Sequence, residues 1–293
     1  MKICLACRKR FEARQWTCPT CGDYPESTGG FLCFAPNLAV ENNGFSPQYF
    51  SQLTEIETNH FWFEARNQML QWAFGRYFPH ARRFLEVGCG TGFVLAGMRR
   101  RFPEVRATGT DIFTEGLCFA QSRVPGTELF QMDARHLPFD SEFDVIGAFD
   151  TLEHIEEDEQ VLAEFFRSCK PGGGIMLTVP QHRFLWSASD EYAFHKRRYA
   201  RHDLVAKIHR AGFKIVRVTS FVSLLLPLML VSRRRRRHMN EDFDALEEFR
   251  IGATANRALE RVLIIERYLI QAGFSFPAGG SLLAIAERPE LAD

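Results

Sequence analysis

The sequence predicts an α/β protein whose core is a doubly wound sheet of mainly parallel strands. Short apolar runs alternate with helical patterns from about residue 81 to residue 218, which is the order of repeated strand–helix units. The first strand passes through a glycine-rich turn into a helix, and Asp111 closes the second strand. Both features are typical of a nucleotide-type site at the carboxyl edge of such a sheet. A chain of 293 residues has room for one such domain plus appendages.

The composition is that of an ordinary globular protein. It is 46% hydrophobic and 25% charged, and its formal net charge is zero, so no overall field attracts it to nucleic acid or to membranes. The longest apolar stretch, residues 221–231, is about half of the roughly 20 residues that a membrane-spanning helix needs. The eight cysteines follow no apolar signal segment, which favours a reducing compartment and free or metal-bound thiols. We therefore expect a cytoplasmic protein.

Residues 1–33 are predicted to form a separate metal-binding module. Cys4 and Cys7 make one C-x-x-C pair, and Cys18 and Cys21 make a second pair after ten intervening residues. Two such pairs place four thiolates on two tight turns, as tetrahedral zinc requires, and the segment resembles a small zinc ribbon. We expect a structural Zn²⁺ ion here. The ribbon also carries basic side chains, Lys2, Arg8, Lys9, Arg10 and Arg14. They are expected to form a solvated surface or a surface for a protein partner, and binding of nucleic acid is the alternative.

Two segments connect this module to the predicted sheet. Residues 34–46 contain turn-forming residues and are predicted to be a linker. Residues 47–80 show helical periodicity and are predicted to form an N-terminal helical cap. The cap contains the sequence H-F-W-F-E-A-R-N at 60–67, in which aromatic side chains stand beside Arg66. Arg66 is a candidate to pair with a cofactor carboxylate, and a surface ion pair is the alternative.

The glycine-rich turn narrows the class of ligand. Gly88, Gly90 and Gly92 follow the G-x-G-x-G spacing, and Phe93 stands where a dinucleotide fingerprint needs its last glycine. This argues against NAD and for a ligand without a pyrophosphate. Asp111 lies nineteen residues after Gly92, at a position that faces the ribose of a bound nucleoside in doubly wound sheets. The alternative for Asp111 is a cap on the following helix.

Because Glu86 precedes the first glycine, the full motif of the turn is E-x-G-x-G-x-G. This motif is typical of the class I S-adenosylmethionine (SAM)-dependent methyltransferases, and the chain from about residue 45 resembles the small-molecule type of that family. The segment 60–67, the L-E-H stretch at 152–154 and the K-P-G-G turn at 170–173 are similar to the same family. The resemblance implies a Rossmann-like sheet of seven strands within residues 81–293, with the last strand antiparallel and helices on both faces. It implies that SAM is contacted by Arg66, Glu86, Gly88, Cys89, Gly90, Gly92, Asp111, Ile112, Asp133, Ala134, Asp150 and Thr151.

Apolar and helical patterns give the order of elements in this core. Strands are expected at 83–87, 106–110, 128–131, 143–149, 175–180, 213–218 and 282–287. Helices are expected at 94–101, 114–121, 156–169, 201–211 and 256–272.

His154 is the candidate catalytic residue. It follows the fourth core strand, and an imidazole of ordinary pKa suits proton removal from a phenol, enol or hydroxyl near neutrality. The alternative is that His154 only lines the cofactor. Its neighbour Glu153 is expected to be structural.

Residues 181–200 are too polar and aromatic for a plain connector and are predicted to be a substrate lid. The sequence H-K-R-R-Y at 195–199 resembles an H-x-R-R-Y stretch of the same family. Arginines beside a histidine could hold an acidic or phosphate-bearing substrate, and a solvated charge run is the alternative. The predicted substrate contacts are Trp186, His195, Arg197, Arg198 and Tyr199.

Residues 221–280 are predicted to be a helical insertion before the last strand. It begins with the apolar run and continues with five arginines at 233–237. An apolar block beside a basic block favours peripheral contact of residues 221–237 with an anionic inner-membrane surface. The alternative is a buried helix whose arginines pair with acidic residues at 241, 242, 247 and 248.

The predicted function is transfer of a methyl group from SAM to an oxygen or carbon atom, with nitrogen as a further option. The acceptor is predicted to be a small molecule or a lipid or glycan precursor. Two alternatives are an RNA or protein methyltransferase that uses the ribbon for recognition, and a non-catalytic SAM-binding scaffold. The sequence D-T-L-E at 150–153 disfavours nucleic acid, because amino-group methylation often uses an N-P-P-Y type of stretch there.

Overall fold

The computed structural model describes residues 1–40, 47–235 and 250–290. Its strands are β1 (Lys2–Ile3), β2 (Arg10–Phe11), β3 (Glu26–Thr28), β4 (Phe31–Cys33), β5 (Arg83–Val87), β6 (Arg106–Asp111), β7 (Glu128–Gln131), β8 (Phe143–Phe149), β9 (Cys169–Pro180), β10 (Lys214–Phe221) and β11 (Ser281–Glu287). Its α-helices are α1 (Pro36–Val40), α2 (Pro47–Glu57), α3 (Phe61–Tyr77), α4 (Phe93–Arg101), α5 (Thr114–Arg123), α6 (Asp158–Ser168), α7 (Ala188–Tyr192), α8 (Arg201–Arg210), α9 (Leu226–Arg235) and α10 (Ala253–Gln271).

The main sheet confirms the predicted doubly wound α/β architecture. Its strands lie in the order β10-β11-β9-β8-β5-β6-β7-β4-β3. The five central strands from β9 to β7 are parallel, and β11 runs antiparallel between β9 and β10. A glycine turn at the end of β5 and acids at the ends of β6 and β8 therefore meet at one edge of the sheet.

Alternation along the central strands explains why both faces of the sheet are covered. Phe84 and Val145 belong to one hydrophobic cluster, whereas Leu85 and Ile146 belong to the cluster on the opposite face. All four are fully buried. Because successive side chains of a strand point to opposite faces, these continuous apolar runs require helices on both sides. Helices α3, α4, α5 and α10 cover one face, and α6 and α8 cover the other.

The sheet has two more strands than the seven that the resemblance implies. β3 and β4 form a hairpin, and β4 pairs in parallel with β7, with Leu32 opposite Phe130. Phe31 and Cys33 are buried by this pairing. The hairpin covers the edge of β7, whose backbone groups would otherwise lack partners. The predicted module boundary at residue 33 is therefore wrong, because residues 26–33 belong to the main sheet.

The predicted linker is also attached to the sheet at its start. Residues 36–40 form α1. The Gln131 side chain accepts a hydrogen bond from the backbone N of Ala35 at 3.0 Å and donates one to its backbone O at 2.7 Å. The linker predicted at residues 34–46 is therefore not a plain connector over residues 35–40. Residues 41–46 lie outside the described residues.

β9 and β10 extend furthest beyond their predicted bounds. β9 begins at Cys169, so the K-P-G-G turn is part of the strand, where Gly174 lies opposite Glu287. β10 continues to Phe221, which pairs with Ser281. The insertion therefore begins after residue 221.

The insertion contains α9 and α10, and α10 packs along α3 of the helical cap. Asn256 at its first turn accepts a hydrogen bond from the backbone N of Phe61, at 2.9 Å, and Arg267 donates to Gln68. No helix among the described residues is both long and apolar enough to cross a membrane. The predicted acidic stretch at 241–249 and two of the five arginines, at 236 and 237, lie outside the described residues.

Candidate functional site

A cavity of about 1290 Å³ lies at the carboxyl edge of β5, β6, β7 and β8. Residues at or just after the end of each of these strands line it, and further lining residues come from helices α2, α3, α7, α9 and α10. Parallel strands present their carboxyl ends at one edge of a sheet, which explains why residues far apart in sequence meet here.

The glycine turn after β5 depends on two backbone positions without side chains. Gly88 has φ +73°, and a Cβ added to it would lie 2.4 Å from the Oγ1 of Thr151. Gly90 has φ +49° and, with Cys89, lines the cavity. Both conformations favour glycine. The turn therefore brings bare backbone to the cavity wall, as a close-fitting ligand requires.

Gly92, the third glycine of the turn, packs between two helices. It does not line the cavity; it begins α4 and contacts α5, where an added Cβ would lie 2.9 Å from that of Ala120. Its φ of +73° places it in the left-handed region. Gly92 therefore permits close packing of two helices, and its predicted contact with a cofactor stays a prediction.

Asp111 closes β6 and holds the glycine turn in place. Its Oδ2 accepts from the backbone N of Gly90 at 2.8 Å, and its Oδ1 accepts from that of Phe113 at 2.9 Å. Burial raises the pKa of Asp111, and the backbone donors oppose this rise. The bond to Phe113 closes a turn just before α5, but α5 has no side-chain cap bond at its N-cap Phe113, so the alternative role as a helix cap is not supported. Asp111 and Ile112 also line the cavity, so the ribose contact stays a prediction.

Glu86 is the buried acid of the turn. It is 3% exposed and lines the cavity, yet its Oε2 has no hydrogen-bond partner. Burial raises the pKa of Glu86 to about 8, although nearby Arg66 opposes the rise. A buried polar atom normally has a partner, so this oxygen marks a place for a donor group from a bound molecule.

Arg66 and Asp150 form an ion pair inside the cavity. The guanidinium of Arg66 lies 4.5 Å from the centre of the Trp62 ring, and the side chain is 10% exposed. Arg66 therefore does form an ion pair, as the alternative proposed, but the pair lies in the cavity wall and not on the surface. Asp150 has φ +56°, which directs the chain sharply out of β8, and Thr151 follows it in the wall. Contact of these residues with a cofactor stays a prediction.

Asp133 and Ala134 line the cavity after β7, as the resemblance implies. The Asp133 carboxylate accepts from Arg135 Nε at 3.0 Å and lies 3.2 Å from Nδ1 of His136. Burial alone would raise its pKa, but these hydrogen bonds outweigh burial and hold the pKa below its ordinary value. The carboxylate is therefore charged at neutral pH, as an acceptor for an amino group must be.

His154, Glu153 and His195 meet at one wall of the cavity. The rings of His154 and His195 stand edge to face with centres 4.7 Å apart. Burial, with a smaller effect of His195, lowers the pKa of His154 to about 3. His154 is therefore neutral, and so able to accept a proton, but it is a weak base. Glu153 is fully buried, and neither carboxylate oxygen has a hydrogen-bond partner. Sequence analysis assigned this acid a structural role.

The predicted substrate lid is held together by Asp190. Its Oδ1 lies 2.9 Å from Nδ1 of His195 and 2.7 Å from Nε of Arg198, and Arg233 contributes a further contact from α9. Burial would raise the pKa of Asp190, but His195 and Arg198 lower it to about 2. His195 and Arg198 line the cavity, as predicted for substrate contacts.

The other three predicted substrate residues lie elsewhere. Tyr199 is 2% exposed, and its hydroxyl donates to Asp158 at 2.6 Å. Arg197 pairs with the same carboxylate at 2.8 Å, and the Trp186 indole donates to Glu191 at 3.4 Å. None of the three lines the cavity. Partners within the fold occupy their polar groups, so the structure does not support their predicted contact with substrate.

Sequence analysis missed the apolar wall of the cavity. Leu225, Met229 and Leu259 line it from the segment after β10 and from α10, together with Phe50 of α2. The apolar run at 221–231 was the available signal, but neither of its two interpretations, membrane contact or a buried helix, placed it at a cavity. Arg233 donates to the Ser187 hydroxyl, and contact of residues 221–237 with a membrane stays a prediction.

The four N-terminal cysteines converge as a metal site requires. Their sulfur atoms all lie within 4.8 Å of one another, with Cys4 and Cys21 at 3.6 Å and Cys7 and Cys18 at 3.7 Å. Four sulfurs bound tetrahedrally to zinc at about 2.3 Å would be about 3.8 Å apart. The donor set and its spacing fit a structural Zn²⁺ ion.

Comparison with known proteins agrees with this geometry. Residues 85–177 match a family model described as a methyltransferase domain. The chain is 31% identical over 106 residues to trans-aconitate 2-methyltransferase of Variovorax paradoxus, covering 36% of this chain and 41% of that protein. It is 39% identical over 102 residues to phosphatidylethanolamine N-methyltransferase of Cereibacter sphaeroides, covering 32% and 49%. The chain thus spans less than half the length of each relative.

The fold is also similar to that of a solved methyltransferase. Phosphoethanolamine N-methyltransferase 2 of Haemonchus contortus, in complex with SAM, superimposes with a TM-score of 0.56 at 19% identity. The match covers 85% of this chain and 59% of that one.

Proposed function

We propose that this chain, a member of the class I SAM-dependent methyltransferases, transfers the methyl group of SAM to a small-molecule or lipid-linked acceptor. The accepting atom is an oxygen or a carbon, with nitrogen as the alternative. The observation that carries the proposal is the cavity wall formed by Gly88, Gly90, Glu86 and Asp111, where bare backbone stands beside two buried carboxyl groups.

The residues present fit SAM. Glu86 has an oxygen without a partner, and Gly88 and Gly90 present bare backbone at the cavity wall. Asp111 would hold the ribose and Asp133 the adenine amino group, because carboxylates accept hydrogen bonds from such donors. Bound SAM supplies an activated methyl group.

The chain itself contributes position and exclusion of water. The Arg66–Asp150 pair fixes one side of the cavity, and the neutral His154 faces the same space. On the other side, Leu225, Met229 and Leu259 supply an apolar surface. This surface supports an acceptor with an apolar part, such as a lipid or an isoprenoid ring compound, because apolar contact areas contribute most of the binding free energy of such molecules.

Calorimetric titration with SAM tests the cofactor site. Asp111→Ala should weaken binding at least tenfold, because it removes the acceptor and loosens the glycine turn. Asp203→Ala, an exposed aspartate on α8, is the matched control and should bind like the unmodified protein. Equal affinity of all three proteins would refute the role of Asp111.

Methyl-labelled SAM incubated with separate lipid, quinone, sugar, RNA and protein fractions identifies the acceptor class. Label in a small-molecule or lipid fraction supports the proposal. Label in RNA or protein would favour the alternative in which the ribbon recognises a macromolecule. SAM binding with no label in any fraction would favour a non-catalytic scaffold.

We further propose that Cys4, Cys7, Cys18 and Cys21 bind one structural zinc ion. Such a short segment has little core, so metal binding would supply much of its folding free energy. Elemental analysis of the full chain should show that Cys7→Ser loses this ion, whereas Cys118→Ser, a change at an exposed free thiol, retains it.

A further inference from the structure

The cavity wall contains a second cluster with the donor atoms of a metal site. Glu153 and His154 lie in the turn after β8, and His195 follows α7. One ligand atom from each lies within 4.8 Å of the others, and Nε2 of His195 is 4.0 Å from Oε1 of Glu153. Two ligands about 2.0–2.2 Å from one ion are about 3–4.4 Å apart, so this separation lies within the span of a single ion.

Glu153 is the strongest sign that something is bound here. Its side chain is 0% exposed, and both carboxylate oxygens lack hydrogen-bond partners. The two arginines whose charges act on it, Arg198 and Arg66, are already paired with Asp190 and Asp150. A buried carboxylate without its own donors is strongly destabilising unless a cation or a proton neutralises it.

His195 is oriented as a metal ligand would be. Its Nδ1 lies 2.9 Å from Oδ1 of Asp190, which leaves Nε2 directed toward Glu153. Asp190 is in turn fixed by Arg198 and by the backbone N of Ser187, at 2.9 Å. A carboxylate that holds the second nitrogen of a histidine is the usual support of a metal-bound imidazole.

We propose that Glu153, His154 and His195 bind a divalent transition-metal ion at the wall of the cavity. Two imidazoles and one carboxylate suit Zn²⁺, Fe²⁺ or Mn²⁺ and leave coordination positions open. All three residues line the cavity, so the open positions would face a bound acceptor.

The role of the ion rests on the proposed methyl transfer. A hydroxyl oxygen of the acceptor bound to the ion would lose its proton to solvent more readily, because a divalent cation stabilises the alkoxide or phenolate. The resulting oxygen would be the nucleophile. The ion would thus select acceptors with a metal-binding hydroxyl group.

Metal stoichiometry tests the site apart from activity. The full chain is loaded with Zn²⁺, desalted and analysed by elemental analysis, and Mn²⁺ affinity is measured by titration calorimetry. The unmodified protein should hold two zinc ions per chain, one of them lost in Cys7→Ser. Glu153→Gln and His195→Ala should each hold one and should bind Mn²⁺ at least a hundredfold more weakly. His202→Ala, an exposed histidine on α8, should behave like the unmodified protein.

Asp190→Asn tests the carboxylate that orients His195. It should weaken Mn²⁺ binding by about 10- to 100-fold while all three ligands remain. Circular dichroism and SAM titration of each variant show whether the fold and cofactor site persist, so a metal site can fail while the proposed function stands. One zinc per chain in the unmodified protein, or unchanged Mn²⁺ affinity in folded Glu153→Gln, would overturn the proposal.

Discussion

Glu86→Gln should make the protein more stable at neutral and alkaline pH when no SAM is present. The carboxyl group is buried with an unpartnered oxygen, and burial raises its pKa from 4.5 to about 8. The folded protein therefore keeps this proton up to about pH 8, whereas the unfolded chain releases it near pH 4.5. Between these values the folded state binds more protons, so stability falls as pH rises. Glutamine has nearly the same shape and cannot ionise.

The size of the effect follows from the two pKa values. One pH unit between them corresponds to about 1.4 kcal/mol, so the full gap is worth at most about 5 kcal/mol above pH 8. At pH 5.5, one unit above the unfolded pKa, only about 1.4 kcal/mol of this stability difference is present. The stability advantage of Glu86→Gln should therefore grow by about 3 kcal/mol between pH 5.5 and pH 8.5.

Urea unfolding followed by circular dichroism at pH 5.5, 7.0 and 8.5 measures this advantage. Every other titrating group is shared, so the difference between the two proteins isolates Glu86. Glu104→Gln, at an exposed turn, controls for the loss of a carboxylate as such. A stability difference that stays constant with pH would show that the folded protein solvates the Glu86 charge, and the reasoning from burial would then be wrong.

Three further predictions concern the turn, the lid and the metal module. Gly88→Ala should destabilise the protein by about 2–4 kcal/mol and abolish SAM binding, because the added Cβ would lie 2.4 Å from the Thr151 hydroxyl. Gly126→Ala is the control, because Gly126 has a similar φ but nothing within 4 Å of the added Cβ, and it should lose only about 1 kcal/mol in the same unfolding assay. Tyr199→Phe should lower the unfolding free energy by about 1–2 kcal/mol, because it removes a buried hydrogen bond, while the KM for the acceptor stays unchanged; a raised KM would return Tyr199 to the substrate site. Cys18→Ser should lower the melting temperature and end its dependence on added chelator, whereas Cys118→Ser should do neither.

The central sheet was predictable because its signals are local. Strands at 83–87, 128–131 and 143–149 match the predicted bounds, since apolar runs closed by turn residues leave few other structures. The β3–β4 hairpin was missed because only three residues of each strand pair. Its place in the sheet depends on an edge of β7 about a hundred residues away, and no local pattern records such a pairing.

The site was less predictable because sequence gives residue types but not their directions. Tyr199 and Arg197 both contact Asp158, whereas the residue between them, Arg198, contacts Asp190 on the cavity side. In an extended segment successive side chains point in opposite directions, so a run of similar residues divides between two surroundings. The candidate role of Glu153 as a metal ligand was missed for a related reason. Only the three-dimensional structure shows that this carboxylate is buried without hydrogen-bond partners.

The attachment of the cysteine module limits how it can meet a partner. Trp16 packs edge-on against Phe34, Phe130 and Phe139, with ring centres 4.7–5.7 Å apart, which anchors the module to the β7 side of the sheet. The ammonium of Lys2 donates to three carbonyls of residues 13–15, and Arg10 pairs with Asp140. Two of the five basic side chains are thus engaged within the fold. A nucleic acid or other polyanion that bound this surface would release about two fewer counterions than five basic side chains would imply. Its binding would therefore depend less strongly on salt concentration.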